Sequence, residues 1–217
     1  MAEVKSTWDL LREAIKEGRK EEALKLLDKG AERAVTQADS LVSFVGMLAT
    51  RLASLNGEDE LGKIYRERYL VKVKEWLKVA PGSRESAERI TEYMSSPGSK
   101  ITITEEPDRW VVSLDPCRTG GRLIRSMATS PAKFDPASVG TTKEAHPWTW
   151  GKSGICYYCA HSALFFEVIP IELRGYPIAV IEYPPKPTDP CLFFFYKKPE
   201  LIPEQYFTRL GKKKTIK

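Results

Sequence analysis

The first 96 residues carry apolar side chains at helical spacing. Between residues 20 and 55 these positions are Leu24, Leu27, Ala31, Ala34, Ala38, Leu41, Val45, Leu48, Leu52 and Leu55. Steps of three and four residues match the turn of an α-helix, so a long helical segment is predicted here. Gly30 is expected to divide it into two helices, and the pair Asn56–Gly57 to end it.

Three more helices are predicted in the same region. One begins after Ser6 or Thr7 and another after Ser83, since serine and threonine are frequent N-cap residues. A third covers residues 58–80, where apolar positions again recur at helical spacing. The region 1–96 is therefore interpreted as a helical bundle.

The region 97–217 has a different pattern. The segment "KITITEEPDRWVVSLD" predicts two strands joined by a tight turn at 106–108, because β-branched and aromatic residues dominate it. Residues 117–155 are rich in Gly, Pro, Ser and Thr and are expected to form a long loop. "YYCAHSALFFEVI" predicts a helix limited by Pro170 and Gly175, and "YPIAVIEY" and "CLFFFYKK" predict strands.

Together these patterns predict an α+β fold. The N-terminal helical bundle would pack on a small, mostly antiparallel sheet that carries one helix and a long loop. The consecutive large side chains of "CLFFFY" indicate a strand that is buried on both faces, so the two regions are expected to form one integrated unit.

Composition and charge narrow the class of protein. Of the 217 residues 42% are hydrophobic and 29% charged, as in soluble globular proteins. The net charge of +5 owes much to the tail "RLGKKKTIK", which is expected to be dispensable for folding. Elsewhere Lys and Arg alternate with Glu on predicted helices and no nucleic-acid module is recognisable, so nucleic-acid binding is not expected.

The sequence lacks the motifs of three further classes: secreted proteins, membrane-spanning proteins and proteins that bind a nucleotide cofactor. The N-terminus does not show a secretory leader, and we find no apolar run of about 18 residues that would span a bilayer. A cytoplasmic protein without a membrane partner is therefore expected. Because a glycine-rich phosphate-binding motif does not follow any predicted strand, a nucleotide cofactor is not expected either.

The stretch "HPWTWGKSGICYYCAH" holds both histidines and two of the four cysteines. C-x-x-C spacing can place two thiolates on one metal ion, and zinc takes about four Cys or His ligands. The candidate ligands are Cys117, Cys156, Cys159 and His161, although a second C-x-x-C or H-x-x-x-H pair is missing. Free cysteines also serve as small core residues, and that alternative stays open.

The same residues also suit thiol catalysis. A cysteine at a helix N-terminus has a lowered pKa, and a histidine can act as its general base. We therefore take Cys159, His161 and Cys117 as the candidate catalytic residues. Redox catalysis is the weaker version, because a long polar loop rather than a strand precedes the C-x-x-C pair.

Arginine and aromatic side chains provide candidate ligand contacts. "LDPCRTGGRL" carries three arginines that could hold a carboxylate or phosphate, and Gly120–Gly121 would let a ligand approach the backbone. The candidate substrate-binding residues are Arg122, Trp148, Trp150 and Tyr158. The alternatives are a glycine turn with surface arginines, and aromatic packing beneath a loop.

Residues 100–198 resemble one small-molecule-binding superfamily. The order is a hairpin, a cysteine, a helix opened by "CYYCAH", an "RGYP" turn, a strand, "DPC" and a final apolar strand. This order is similar to that of 2-amino-thiazoline-4-carboxylate hydrolase-like proteins and 4-vinyl reductase domains. The resemblance implies an α+β ligand-binding fold with a pocket near the cysteines.

These observations favour an enzyme of hydrolase or lyase type that acts on a small, anionic or heterocyclic molecule. Its pocket would be centred on Cys and His, with zinc as a possible cofactor. A non-catalytic sensor that binds a small molecule or a metal is the alternative, and a structural zinc protein is a third reading. In each case the candidate cysteines and His161 are expected in one cavity, with the Trp148–Trp150 loop at its mouth.

Overall fold

The computed structural model describes residues 5–78, 82–130 and 139–216. The fold is α+β, as the sequence predicts. The helices are α1 Thr7–Lys16, α2 Lys20–Asn56, α3 Glu58–Trp76, α4 Arg84–Met94, α5 Gly120–Thr129, α6 Tyr157–Ala163, α7 Ile169–Arg174 and α8 Gln205–Thr208. The strands are β1 Lys100–Glu105, β2 Arg109–Asp115, β3 Val180–Glu182 and β4 Cys191–Tyr196.

The sheet is antiparallel throughout and has the order β1-β2-β4-β3. β4 is central and apolar, and Phe193, Phe194 and Phe195 are all buried. The predicted hairpin is confirmed, since Glu105 pairs with Trp110 across the turn.

One hydrophobic core extends through both regions of the chain. It includes Ala53 of α2, Val73 of α3 and Ile90 of α4 together with the sheet and the helices after residue 156. A smaller cluster joins Val42 of α2 to Leu123 of α5. The helical region therefore packs on the α+β region as one unit.

The helix α2 differs from its prediction because Gly30 does not interrupt it. The missing side chain instead makes room for α1: a Cβ on Gly30 would lie 2.9 Å from Cη2 of Trp8. The predicted end at Gly57 is confirmed, where φ is +88°. Among the described residues, α2 is also the helix whose length and composition would suit a bilayer span, with a window of mean hydropathy 1.2 that is 22% buried.

The predicted long loop 117–155 contains the regular helix α5, and its residues 131–138 lie outside the described residues. The apolar positions of α5 include Leu123, Ile124 and Met127, a helical spacing that the glycines and serines around it obscure.

The predicted helix after Cys156 continues past Pro170. α6 leads into a π-helical turn, Leu164–Val168, and then into α7, which ends at Gly175 with φ +88°. A proline is compatible with this position because it stands in the first turn of α7, where its missing N–H is tolerated.

The C-terminal tail is docked, contrary to expectation. Lys212 Nζ lies 2.7 Å from Glu172 Oε1, and Lys214 Nζ donates to the carbonyl of Glu200 at 2.7 Å. Ile216 packs against the core. Two lysines and Ile216 therefore attach the tail to the rest of the protein, although its lysine-rich composition predicts a solvated segment.

Candidate functional site

A cavity of about 180 Å³ lies between the helices and the sheet. Its walls come from both regions of the chain, and most of the side chains around it are apolar or aromatic. α3 contributes one face through Tyr69, Lys72 and Trp76, which stand three and seven residues apart on the same side of the helix. The other aromatic wall residues are Tyr93, Trp150, Tyr158, Phe165, Phe166, Tyr183 and Phe193.

Three of the four cysteines line this cavity. Cys117 follows β2, Cys159 lies in the first turn of α6, and Cys191 begins β4. Cys156 belongs instead to the smaller cluster with Val42 and lines a neighbouring groove. The structure thus brings together Cys117, Cys159 and His161, and places Cys156 outside.

Glycines allow the helix α5 to approach the two thiols closely. A Cβ on Gly120 would lie 2.3 Å from Cys159 Sγ, so only glycine fits there. The N–H of Gly121 donates to Cys117 Sγ at 2.9 Å. The two glycines of the "TGG" motif therefore allow α5 to pack directly against Cys117 and Cys159.

Two of the cavity thiols, those of Cys159 and Cys191, have raised pKa values. A hydrogen bond with Cys156, followed by burial, raises the pKa of Cys159 well above its usual value. The same hydrogen bond lowers the pKa of Cys156, which lies outside the cavity. Burial raises the pKa of Cys191 well above its usual value. The sequence predicts a lowered pKa for a cysteine near this helix N-terminus; the pKa is lowered at Cys156 and raised at Cys159, and the hydrogen bond between the two thiols is the first cause of both shifts.

His161 is a neutral aromatic side chain of the wall. Its ring stacks on Tyr69 with 5.1 Å between centroids, and burial lowers its pKa to about 4. Nδ1 lies within hydrogen-bonding distance of the carbonyl of Tyr158. Because a carbonyl can only accept, Nδ1 carries the proton and Nε2 is left as an acceptor.

The two tryptophans of the predicted lid have different places. Trp150 lines the cavity but is 2% exposed, and its Nε1 donates to Glu167 Oε1 at 2.6 Å. Trp148 lies outside the lining: it stacks on His146 at 5.0 Å and covers Gly62 of α3. Trp150 is therefore a buried wall residue, Trp148 is buried outside the lining, and neither forms the mouth of the cavity.

The conformation of Trp150 is sustained by a buried acidic group. Its φ of +56° is left-handed, which is unusual for a bulky residue. Glu167, in the π-helical turn, accepts from Trp150, from the N–H of Ile181 and from Arg209 at 2.7 Å. Burial raises the pKa of Glu167 although Arg209 opposes this effect. The π-helical turn directs Glu167 towards Trp150, Ile181 and Arg209, while Phe165 and Phe166 line the cavity.

The predicted anion-binding arginines are largely neutralised. Arg122 lies outside the cavity, and its guanidinium is 2.8 Å from Asp39 and also donates to the carbonyl of Pro97. Arg125 is 2.5 Å from Asp115. Of the aromatic candidates, Tyr158 lines the cavity, where its ring meets His161 edge to face at 5.2 Å.

The candidate metal ligands are not assembled into one cluster. Within residues 5–78, 82–130 and 139–216, no group of three or more His, Cys, Asp or Glu side chains is close enough to share a metal ion. The other histidine, His146, is engaged by Glu58 Oε2 at 2.7 Å. Zinc binding stays a prediction from the C-x-x-C spacing.

Several wall residues are not evident from the sequence motif. Tyr69, Trp76 and Tyr93 come from helices interpreted only as bundle, and Phe165 and Phe166 from a segment interpreted only as core. The pair Tyr69 and Trp76 has heptad spacing, but this spacing indicates a shared helix face without naming the partner. The aromatic wall therefore depends on how the helices pack.

Comparisons with known proteins did not find any matching family model, curated protein or solved structure. The resemblance to the 4-vinyl reductase superfamily stays an expectation that the sequence order alone supports.

Proposed function

We propose that this protein is a binding module for a small aromatic molecule, which enters the cavity between α3, α5, α6 and the sheet. The observation that carries this proposal is the pairing of an aromatic wall with neutral polar groups. His161 has a pKa of about 4, and the pKa values of Cys159 and Cys191 are well above the usual thiol value. An apolar ring would find large contact area there without having to displace a charge.

The volume sets the size of the ligand. A cavity of about 150 Å³ lined by apolar side chains accommodates benzene. The volume of about 180 Å³ therefore suits one ring, or two fused rings if the walls adjust slightly. The neutral thiols and Nε2 of His161 would provide weak, uncharged polar contacts to a ring heteroatom or hydroxyl.

Calorimetric titration with phenylethanol and tryptophol tests this function. Ile124→Trp fills the cavity from α5 and should abolish binding. Met127→Trp is the matched control, since Met127 is one turn further along α5 and faces the neighbouring groove. Heat release that is equal in both variants, or absent in the unaltered protein, would contradict the proposal.

The second candidate is the hydrolase or lyase activity expected from the sequence. One observation favours it: Cys117, Cys159 and His161 line the same cavity. A nucleophilic thiol must be ionised near neutral pH, so it should react with iodoacetamide in the native state. Mass spectrometry of the labelled protein separates the two candidates, because the binding module predicts that Cys159 is labelled only after unfolding.

A further inference from the structure

Three cations lie at the wall of the cavity or against rings that form it, and we call them the cationic rim: Lys72, Arg89 and Arg118. Lys72 lines the cavity and is exposed to solvent. The guanidinium of Arg89 lies 4.5 Å from the ring centroid of Trp76, and that of Arg118 lies 5.5 Å from the ring of Tyr93. Trp76 and Tyr93 both line the cavity and contact each other edge to face.

The rim differs from the other cations near the site in its partners. Arg122 and Arg125 each have a carboxylate within 2.8 Å. Throughout the described part of the chain, the side chains that pair with a carboxylate within 4.0 Å do not include Lys72, Arg89 or Arg118. Three cations without a carboxylate partner therefore lie beside the aromatic wall of the cavity, where the paired arginines Arg122 and Arg125 do not.

The aromatic rings orient these guanidinium groups without using up their hydrogen bonds. A guanidinium over a ring face is held by the quadrupole of the ring, and its N–H groups point outward along its edge. Such an edge matches a carboxylate bidentately. The rim is thus prepared for an anion that stays beside the aromatic wall.

We propose that the ligand is an aromatic carboxylate whose ring enters the cavity and whose carboxylate lies at the rim against Arg89 and Arg118, with Lys72 adding charge. This proposal rests on the proposed function and names its ligand class. It also restores the anionic character expected from the sequence, but assigns it to Arg118 and to two residues of the helical region rather than to Arg122.

Matched pairs of ligands test the rim separately from the cavity. Phenylacetate and phenylethanol have the same ring and differ in charge, as do indoleacetate and tryptophol. Calorimetry at pH 7 should show each carboxylate binding about tenfold more tightly than its alcohol, the effect of about one charge-assisted hydrogen bond. This advantage should shrink as salt is raised, since the rim is close to solvent.

Variants localise the effect. The double variant Arg89→Gln and Arg118→Gln should remove the preference for the carboxylate and leave the affinity for the alcohol unchanged. Arg51→Gln, an exposed cation of α2 remote from the rim, should change neither affinity. If alcohol and carboxylate bind equally, the rim proposal is overturned while the binding function stands; if no compound of either pair binds, the function itself falls.

A separate surface, the exposed side of α2, carries a second inference. The ten apolar positions from Leu24 to Leu55 alternate in steps of three and four residues, the heptad spacing of coiled coils. Leu41 and Leu55 are each 63% exposed, and Leu24 is 53% exposed. The chain buries an adjacent side of α2 through Gly46, Ala49 and Ala53. We call the exposed row the α2 seam.

The α2 seam is complementary to itself when reversed. If a second copy lies antiparallel, Leu24 faces Leu55, and each small residue of the first half faces a large one of the second. These pairs are Ala38 with Leu41, Ala34 with Val45, and Ala31 with Leu48. Alternation of large and small side chains lets two helices approach and interdigitate.

The seam also has the extent of an interface. At 1.5 Å per residue it runs about 47 Å, and at a helix width of about 10 Å it would cover roughly 450 Å² on each copy. Counted over both copies this is roughly 900 Å², near the roughly 1,000 Å² of specific interfaces, and the exposed Phe44 flanks the seam. A bilayer span would need apolar residues all around the helix, whereas one side of α2 is already occupied.

We infer that the α2 seam joins two copies of this chain in an antiparallel dimer. Sedimentation equilibrium should give twice the chain mass of 24.6 kDa. Leu48→Lys, in the seam, should shift the protein to monomer, while Thr36→Lys, exposed on the same helix outside the seam, should not. A monomeric unaltered protein at the highest soluble concentration, or lipid-vesicle binding that Leu48→Lys removes in a protein that never dimerises, would overturn the inference.

Discussion

His161 shows how the surroundings of one side chain decide its chemistry. In the sequence it is the histidine nearest to a C-x-x-C pair, which suggests a base or a ligand. In the fold it lies between Tyr65, Tyr69 and Tyr158, and its proton is on Nδ1. The sequence shows that His161 is close to the C-x-x-C pair. It does not show that α3, about 90 residues earlier in the chain, buries the ring and keeps it neutral.

Stability should depend on pH through this residue. The folded-state pKa of about 4 lies below the ordinary 6.5, so the unfolded chain takes up a proton first as the pH falls. Stability is then lost from about pH 6.5 down to about pH 4, on the order of 1–2 kcal/mol by pH 5. His161→Phe keeps an aromatic ring and should not show this loss. Urea unfolding at pH 7 and pH 5 measures the difference, and an equal loss in both proteins would contradict it.

At the scale of elements, the contact between α5 and α6 depends on a missing side chain. Gly120 lies where a Cβ would meet Cys159 Sγ at 2.3 Å. A glycine pair in the sequence indicates close approach, and a ligand was the expected partner. The partner is in fact a cysteine of the next helix.

Gly120→Ala should therefore destabilise the protein by about 1–3 kcal/mol, the usual effect of overpacking. Cys159→Ala removes the Sγ atom and should recover much of that loss when combined with Gly120→Ala. Chemical unfolding of the single variants and the double variant completes the cycle. Strictly additive losses would show that the two residues do not touch.

The elements themselves were predictable to different degrees. The hairpin follows from its β-branched and aromatic residues, and β4 follows from its run of large apolar side chains; both are confirmed. α5 was missed because its glycines and serines resemble a loop, and the continuity of α2 was missed because Gly30 is used for contact with Trp8. The π-helical turn has no sequence signal of its own, since it depends on the contacts of Glu167 with Trp150, Ile181 and Arg209.

At the scale of the whole molecule, the two regions cannot be separated without opening both the core and the cavity. α3 and α4 supply Tyr69, Trp76 and Tyr93 of the aromatic wall, and the segment after β2, α6 and β4 supply the thiols. Hydrophobic patterning predicted that helices cover the sheet. It could not predict a cavity, because a cavity is defined by the volume left unfilled between side chains from distant segments.

The C-terminal tail also connects distant parts of the molecule, because it contacts α7, the segment around Glu200 and the hydrophobic core. Lys212 reaches Glu172 of α7, Lys214 reaches the carbonyl of Glu200, and Ile216 meets the core. Deleting residues 212–217 should lower the melting temperature by about 2–4 °C, which corresponds to roughly 1 kcal/mol in a chain of this size. Calorimetric scans of the truncated and full chains measure it. An unchanged melting temperature would mean that these contacts contribute nothing.

The cavity wall also gives the molecule an optical property. Trp76 and Trp150 line the cavity, whereas Trp8, Trp110 and Trp148 stand elsewhere. A guest molecule would change the polarity and quenching around the first two indoles and leave the other three as an internal reference. Emission from the protein itself therefore reports occupancy, and replacing Trp76 or Trp150 with Phe would show which wall the guest touches.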